Sequence, residues 1–188
     1  MRIILILIIT TSVLVLGIVA LVAPSGNRNG LNRIMVGECE RVVDGDTLLL
    51  LNDKRRVRLA YIDAPELNQT SFDYIPIGKW SKDFLRKIVE GKKIRMEVLG
   101  QDQYSRLLAK IWVLRTENAE NADYGELSAV NYQLIKNGHA VLYPFSTFSS
   151  KWEKSAYLWG FYWAKWNRHG MWSTLGFSSP YHYRKQPL

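Results

Sequence analysis

The chain has 188 residues, which is enough for one domain with a hydrophobic core but too few for two once its apolar N-terminus is set aside. Its formal net charge of +8 favours an anionic partner, either nucleic acid or a phospholipid surface, and does not choose between them. The single cysteine, Cys39, excludes an intramolecular disulfide and a cysteine-based metal cluster. Cys39 lies in a run of alternating apolar residues, which predicts a buried core position rather than a nucleophile.

The N-terminal residues are strongly apolar. Residues 3–23 contain only two threonines, a serine and a glycine among apolar side chains, and a bilayer requires about 20 such residues. A cleaved signal peptide usually has an apolar region of about 7 to 15 residues, and Leu21-Val22-Ala23 matches a cleavage site poorly. We therefore expect an uncleaved transmembrane anchor, although the flanking charges do not fix its orientation. An extracytoplasmic domain is preferred, and secretion after signal cleavage is the alternative.

Composition divides the rest of the chain into three parts. Residues 24–33 are rich in Gly, Asn, Ser and Pro, which predicts a flexible tether. The folded domain is expected over residues 34–174. Residues 175–188 are interpreted as a polar C-terminal tail.

Strand patterns open the domain. Three runs, at 35–43, 47–51 and 55–62, are separated by Asp-Gly and Asn-Asp turn signals and predict an antiparallel meander. In the third run, Arg58 alternates with its apolar neighbours and should point to the opposite face. Later runs at 93–99 and 107–114 predict a hairpin around a polar turn, and a short strand is expected at 139–143.

Apolar residues also recur at helical spacing. One such stretch covers 80–89 and another covers 127–135, and Gly91 and Gly138 follow them as C-terminal caps. A polar loop over 115–125 precedes the second stretch. The sequence therefore predicts two helices packed on the strands.

A third helix, predicted over 150–169, is unusually aromatic. It places Trp152, Ala156, Trp159 and Trp163 on one stripe, with further aromatic residues beside it. We expect this stripe to pack against the barrel as core. A surface that stacks on nucleobases and a face that meets a membrane are the alternatives.

Three short segments carry charged residues with a chemistry in common. They are Asp44-Gly45-Asp46-Thr47, residues 58–66 and residues 102–106. Each segment alone is a weak signal, because Asp-Gly-Asp is a common turn and a lone Arg or Glu is usually a solvated surface residue. Their order and spacing together indicate a functional site.

The charged residues suit phosphodiester hydrolysis, which needs a hard cation, oxygen ligands, a group that activates water and positive charge around the phosphorus. Asp46 and Asp63 are candidate carboxylate ligands at the ends of neighbouring strands. Glu66 follows Asp63 across the rigid Pro65. Arg58 suits a phosphate, because its planar fork binds two oxygens at once and stays protonated. The pattern indicates a metal-dependent nuclease.

These motifs resemble those of the staphylococcal nuclease (thermonuclease) family. The family pattern of an Asp-Gly-Asp-Thr turn, an Arg-Leu strand ending in Asp-x-Pro-Glu and an Asp-x-Tyr-Gly-Arg turn is met at every charged position. The resemblance covers residues 36–172. It implies an α+β fold, a five-stranded OB-type β-barrel with three helices, that binds one calcium ion and cleaves DNA and RNA to leave 3′-phosphates.

The resemblance also implies roles for the acidic residues. Asp46 and Asp63 would ligate calcium by carboxylate, and Ala64 would ligate it by its backbone carbonyl. Glu66 would act as general base or orient the attacking water. Family members typically have threonine at the position of Ala64, but a backbone ligand survives that change.

The basic residues and their neighbours receive roles in the same way. Arg58 and Arg106 would hold the phosphate and stabilise the charge that grows on its oxygens in the transition state. Asp44 and Thr47 would brace the site by hydrogen bonds. A partner molecule of DNA or RNA and a monomeric state complete the expectation.

Residues near the third motif depart from the family. Ser105 replaces the usual turn glycine and would be strained if the position needs a positive φ. Gln103 stands where the best-known member has a lysine near the nucleotide. Tyr104 and Tyr143 are the candidates for substrate contacts.

Two other functions remain open from the sequence. The first is a catalytically inactive OB-type module that binds nucleic acid, since a fold does not by itself imply an activity. The second is a membrane-tethered interaction protein whose aromatic helix recognises a partner or the bilayer.

Overall fold

The computed structural model describes residues 33–114, 125 and 128–186. The predicted N-terminal anchor lies outside these residues, as do the tether up to residue 32, nearly all of the predicted loop over 115–125 and the start of the second predicted helix. Within the described residues, no helix combines the length and the apolar composition that crossing a bilayer requires.

The described residues form seven strands, and five of them close into a barrel. In chain order the strands are β1 (Arg33–Val42), β2 (Thr47–Leu50), β3 (Arg56–Leu59), β4 (Ile62–Asp63), β5 (Lys93–Gln101), β6 (Leu107–Val113) and β7 (Val141–Leu142). The barrel order is β1-β2-β3-β6-β5, and β4 pairs with β7 in a separate sheet. The predicted meander, hairpin and five-stranded barrel are confirmed.

The parallel pairing of β3 with β6 sets the direction of the two predicted phosphate-binding arginines. Arg58 pairs with Leu108, and Arg106 lies two residues before Leu108. Because side chains alternate along a strand, Arg106 and Leu108 share the face that Arg58 occupies on β3. Val57 and Leu59 are fully buried in the barrel, which confirms that Arg58 points the other way.

The third predicted strand was too long. It ends at Leu59 because Tyr61 adopts a left-handed φ of 70°, so Ile62 and Asp63 leave the barrel and pair with β7. The Tyr61 conformation is held in place by its surroundings: its carbonyl accepts the N–H of Tyr143 at 2.9 Å, and its ring stacks on Phe148 at 4.4 Å. Such a conformation persists only where contacts enforce it.

Helices cover the outside of the barrel. They are α1 (Ile77–Val89), α2 (Val130–Lys136), α3 (Lys151–Trp166) and the short α4 (Pro180–Tyr183), with a 3-10 turn at Gly170–Ser173. Gly91 and Gly138 have a φ of +70° and follow the ends of α1 and α2, as predicted. The three longer helices match the predicted three, and α4 lies in the segment interpreted as a polar tail.

A buried amide joins α2 to the barrel. The side chain of Asn131 is fully buried, and its oxygen accepts the N–H of Ile111 at 3.0 Å. Its Nδ2 donates to the carbonyls of Ala60 and Ala109, each at 3.0 Å. A buried polar group without partners costs about 1–3 kcal/mol, and here every bond is made. Asn131 therefore fixes the turn after β3, from which Asp63 follows.

The prediction for the aromatic stripe was wrong, because the stripe faces outward. Trp152, Trp159 and Trp163 are 71%, 61% and 39% exposed, and Trp166 is 88% exposed. The buried residues of α3 are instead Glu153, Tyr157, Gly160 and Ala164.

Small and charged side chains explain this orientation of α3. A Cβ at Gly160 would lie 2.7 Å from the ring of Tyr132, so the absence of a side chain lets α3 approach α2 closely. Glu153 faces the same way and pairs with the buried Lys110 at 2.7 Å. A close helix contact and a buried ion pair therefore decide which face packs, although the outer face is the more aromatic.

The loop that carries Glu66 is held against the first turn of α1. A Cβ at Gly78 would lie 1.8 Å from the carbonyl oxygen of Glu66, which no side chain allows. Gln69 accepts the N–H of Glu66 at 3.2 Å through its Oε1, and the N–H of Gly78 donates to the carbonyl of Gln69 at 3.1 Å. Gly78 therefore sets the position of the Glu66 backbone.

The turn before Arg106 yields a stability prediction. Ser105 has a left-handed φ of 62°, which confirms the condition under which strain was expected. Ser105→Gly should raise the free energy of unfolding by about 1 kcal/mol, because relief of strain exceeds the added backbone freedom of glycine. The melting temperature should rise by about 2–4 °C. Ser105→Ala keeps the Cβ and is the matched control; equal stabilisation by both variants would contradict this account.

A second prediction concerns Gly78. Alanine normally stabilises a helix position relative to glycine by about 0.5–1 kcal/mol. Gly78→Ala should instead destabilise the protein by about 1–3 kcal/mol, because the methyl group overlaps the Glu66 backbone. Thermal unfolding measures this effect. Gly100→Ala, where a Cβ on β5 would meet open space, is the control and should leave the melting temperature unchanged or raise it slightly.

Candidate functional site

The predicted site residues converge on one cleft of about 760 Å³. Most of them line it: Asp44, Asp46, Arg58, Ala64, Glu66, Tyr104, Arg106 and Tyr143. Thr47 and Asp63 lie directly behind its wall, where they are 1% and 0% exposed and contact the lining residues. The structure therefore brings all ten together, from β2, β3, β4 and the turns beside them, the turn between β5 and β6, and the residue after β7.

At the base of the cleft, one arginine bridges two buried carboxylates. Arg58 donates from Nη1 to Oδ1 of Asp46 at 2.8 Å and from Nη2 to Oδ1 of Asp63 at 3.2 Å. Asp46 also accepts the hydroxyl of Thr47 at 3.1 Å and the N–H of Ala64 at 3.0 Å. Asp46 is thus tied to β3 and to the residue that follows Asp63.

Burial shapes the electrostatics of this group. Burial raises the pKa of the Asp46 carboxyl, and the charge of Arg58 opposes that rise. For Arg58, burial acts to lower the pKa, but Asp46 and Asp63 outweigh it, so the pKa lies above its usual value. The guanidinium therefore stays charged, as a residue that holds an anion must.

The Asp-Gly-Asp turn is shaped by a hydrogen bond and by close packing. Oδ1 of Asp44 accepts the N–H of Asp46 at 3.0 Å, which closes the turn. A Cβ at Gly45 would lie 2.7 Å from the Cβ atoms of Ala64 and Ser81. Glycine is needed here because the turn packs tightly on Ala64.

Arg106 is oriented by a carboxylate of its own turn. Its Nε donates to Oδ2 of Asp102 at 2.7 Å, and its Nη1 donates to Oγ1 of Thr47 at 3.3 Å. Burial raises the pKa of Asp102, but the N–H groups of Arg106 and Tyr104 outweigh that effect and lower it overall. Thr47 thereby connects Asp46 to Arg106, which agrees with the predicted bracing position of Thr47.

Glu66 has a partner that the sequence did not suggest. Its Oε1 accepts Nη1 of Arg184 at 2.8 Å, and Nη2 of the same guanidinium lies 2.9 Å from Oδ2 of Asp63. Burial acts to lower the pKa of Arg184, but the bonds to Asp63 and Glu66 outweigh it and raise the pKa overall. The segment interpreted as a polar tail thus supplies a third arginine to the cleft.

The two predicted substrate tyrosines lie near the arginines. The ring of Tyr104 is 70% exposed and lies 5.4 Å from Cζ of Arg106. The ring of Tyr143 lies 5.9 Å from Cζ of Arg58. Aromatic rings beside arginines at the mouth of a cleft can stack on bases, so contact with substrate stays a prediction for both.

The oxygen donors suit a hard cation, but arginines hold them here. Within the described ranges, no three His, Cys, Asp or Glu side chains form a group that could hold a metal ion as they stand. Asp46 and Asp63 nevertheless face one guanidinium from two sides, and ionised carboxylates are the ligands that calcium prefers. The donor chemistry therefore fits calcium, provided that arginine contacts give way.

Sequence reasoning missed three features of the site. Asp102 was part of a quoted motif, and its spacing of four residues from Arg106 could have indicated the pair. Gly78 gave no signal, because its role depends on a contact with the distant Glu66. Arg184 gave none either, since it lies 121 residues from Asp63 along the chain.

Comparisons with known proteins agree with this geometry. A family model described as staphylococcal nuclease homologue matches residues 56–174, which include Arg58, Asp63, Glu66 and Arg106 but not Asp46 or Arg184. An uncharacterized endonuclease of Escherichia coli is 37% identical over 78 residues, 40% of this chain and 47% of that protein.

Two further relatives have similar names. The probable endonuclease lcl3 of Penicillium rubens is 30% identical over 145 residues, 72% of this chain and 49% of that protein. The thermonuclease of Staphylococcus intermedius is 35% identical over 78 residues, 39% of this chain and 46% of that protein. The chain spans about half the length of these relatives. Because the family model covers more than half of the sequence, this chain belongs to the family of staphylococcal nuclease homologues.

Proposed function

We propose that this protein is a calcium-dependent endonuclease that hydrolyses phosphodiester bonds of DNA, RNA or both and leaves 3′-phosphates. The observation that carries this proposal is the meeting of Arg58, on β3, and Arg106, just before the neighbouring parallel strand β6, at a cleft with Asp46, Asp63 and Glu66. Membership of the nuclease family and relatives named as endonucleases support it.

In this proposal the metal is held at the base of the cleft. The ligands are the carboxylates of Asp46 and Asp63 and the backbone carbonyl of Ala64. Bound calcium supplies a Lewis acid that draws electron density from the phosphodiester oxygens. Burial of the two aspartates and their fixed backbone limit how far the ligands move.

Glu66 acts on the attacking water. Its backbone is fixed against Gly78, and 40% of its side chain is exposed to the cleft, so a water molecule can reach its oxygens. Glu66 takes a proton from this water or orients it, a role that typically contributes about 10²–10⁴ in rate.

Arg58 and Arg106 bind the scissile phosphate. Both are held by aspartates, Arg58 by Asp46 and Arg106 by Asp102, so their free N–H groups are oriented before substrate arrives. Charge that grows on the phosphate oxygens is then met by donors that already face the cleft, which lowers the cost of reorganisation. A lysine would present only a point charge.

The proposal predicts the effect of three substitutions. With full-length protein and single-stranded DNA at millimolar calcium, Glu66→Gln should lower kcat by about 10²–10⁴ and Arg106→Ala by about 10²–10³. Arg86→Ala is the control and should retain full activity, because Arg86 is on the exposed side of α1 and pairs with Asp83. A chelator should abolish cleavage by the unsubstituted chain.

Two results would contradict the proposal. Undiminished cleavage by both site variants would remove these residues from catalysis. Salt-sensitive DNA binding without hydrolysis would instead identify an inactive OB-type binding module. A separate assay shows which end of each product carries the phosphate. A 3′-phosphate blocks extension by a polymerase until a phosphatase removes it.

We further propose that residues 3–23 attach the protein to a membrane, with the domain outside the cytoplasm. The length of this apolar run supports attachment. The exposed tryptophans of α3, with Lys151 and Lys154 on the same helix, suit the interface of a bilayer that lies close to the domain.

Fractionation of cells tests the attachment. The full chain should sediment with membranes, and deletion of residues 1–23 should release the domain. If the deletion variant still sediments with membranes, α3 becomes the candidate for membrane attachment. Trp159→Ala and Trp166→Ala, made in the chain that lacks residues 1–23, test this. If the expressed full chain instead loses its N-terminus and becomes soluble, the protein is secreted.

A further inference from the structure

Arg184 is bonded to both oxygens of Asp63, a predicted metal ligand, and to one oxygen of Glu66, the predicted base. Its Nη2 is 2.9 Å from Oδ2 and 3.1 Å from Oδ1 of Asp63, and its Nη1 is 2.8 Å from Oε1 of Glu66. One guanidinium thus joins the predicted metal ligand to the predicted base, and Asp63 is fully buried beneath it.

The chain segment that carries Arg184 is attached close to the Glu66 loop. Gln69 is 1% exposed; it accepts the N–H of Glu66 through Oε1 and donates from Nε2 to the carbonyl of Ser178 at 2.7 Å. The N–H of Phe72 donates to the carbonyl of Gly176 at 2.8 Å. These bonds end six residues before Arg184, so its long side chain can leave the carboxylates while the segment stays attached.

Of the two arginines on Asp63, Arg184 is the one that can move. The side chain of Arg58 is 17% exposed, lies on a barrel strand and also binds Asp46. The side chain of Arg184 is 36% exposed and follows the short helix α4. Because the Arg184 guanidinium is the more exposed of the two, water can take over its hydrogen bonds when it leaves Asp63, whereas Arg58 would lose its bonds inside the fold.

Calcium and Arg184 need the same oxygens. Calcium binds carboxylate oxygens at about 2.3–2.6 Å, and a guanidinium already bonded to both oxygens of Asp63 prevents such an approach from that side. We propose that Arg184 competes with calcium for the oxygens of Asp63, so that it neutralises Asp63 and Glu66 in the metal-free protein and is displaced from both when calcium binds. This inference rests on the proposed metal dependence.

Calorimetric titration of calcium into the full-length chain, kept in a mild detergent, tests the competition. Arg184→Ala should bind calcium roughly tenfold more tightly than the unsubstituted chain, as expected when one charge-assisted contact is removed. Arg184→Lys keeps the charge but not the fork and should give an intermediate affinity. Lys185→Ala is the matched control, because Lys185 contacts Tyr181 at 2.5 Å.

Each outcome of this experiment decides a separate question. Unchanged or weaker calcium binding by Arg184→Ala overturns the competition, and so does an equal gain in Lys185→Ala, which would reflect net charge alone. If the unsubstituted chain binds no calcium and cleaves no DNA, the proposed function itself fails. If calcium supports cleavage but Arg184→Ala is unchanged in affinity, only the competition fails.

A second measurement follows Arg184 in the unsubstituted chain, so its result does not depend on how stable a variant is. In the unsubstituted chain, the Nε–H signal of Arg184 in a nitrogen-15 spectrum, assigned by its absence in Arg184→Lys, should shift on addition of calcium as the guanidinium becomes solvated. A signal that does not move while calcium binds contradicts displacement.

Discussion

The site depends on the pairing of Arg58 with Asp46 and Asp63. Two buried carboxylates in one cleft repel each other, and burial disfavours the charge of each, so the fold tolerates them only with a cation between them. Arg58 supplies that cation in the described structure. The other features serve this arrangement: the parallel pairing of β3 with β6 directs Arg58 outward, the Asp-Gly-Asp turn presents Asp46, and the left-handed Tyr61 turns the chain so that Asp63 meets the same guanidinium.

Features that depend on local chemistry could be predicted from the sequence. The meander followed from alternation and turn residues, and the helix ends followed from Gly91 and Gly138, which adopt the conformation that glycine favours. The acidic and basic motifs were recognisable because phosphate hydrolysis needs those residue types, and because their order resembles the pattern of the staphylococcal nuclease family. The largest error in a strand limit lies at Tyr61, where long-range contacts hold a bulky residue in a left-handed conformation that its own sequence disfavours.

Features that depend on contacts between distant segments could not be predicted. Periodicity showed that α3 has an aromatic stripe but not which face packs, because that choice depends on Tyr132 opposite Gly160 and on Lys110 opposite Glu153. Composition made residues 175–188 look like a solvated tail, whereas hydrogen bonds from Gln69 and Phe72 hold part of this segment on the domain. Phe177 packs in a small apolar cluster and Pro180 is buried, but two such residues in a short polar segment give no periodic signal, although its arginine, Arg184, reaches the cleft.

The shared register of β3 and β6 has a consequence for how this site can change over generations. Point substitutions replace one side chain and leave its neighbours aimed as before. A one-residue insertion or deletion inside either strand would instead turn every later side chain to the opposite face, which would move Arg58 or its partner Leu108 into the barrel interior. The length of these two strands is therefore under stronger constraint than most of their individual residues, and length variation in descendants of this sequence should collect in the connecting loops.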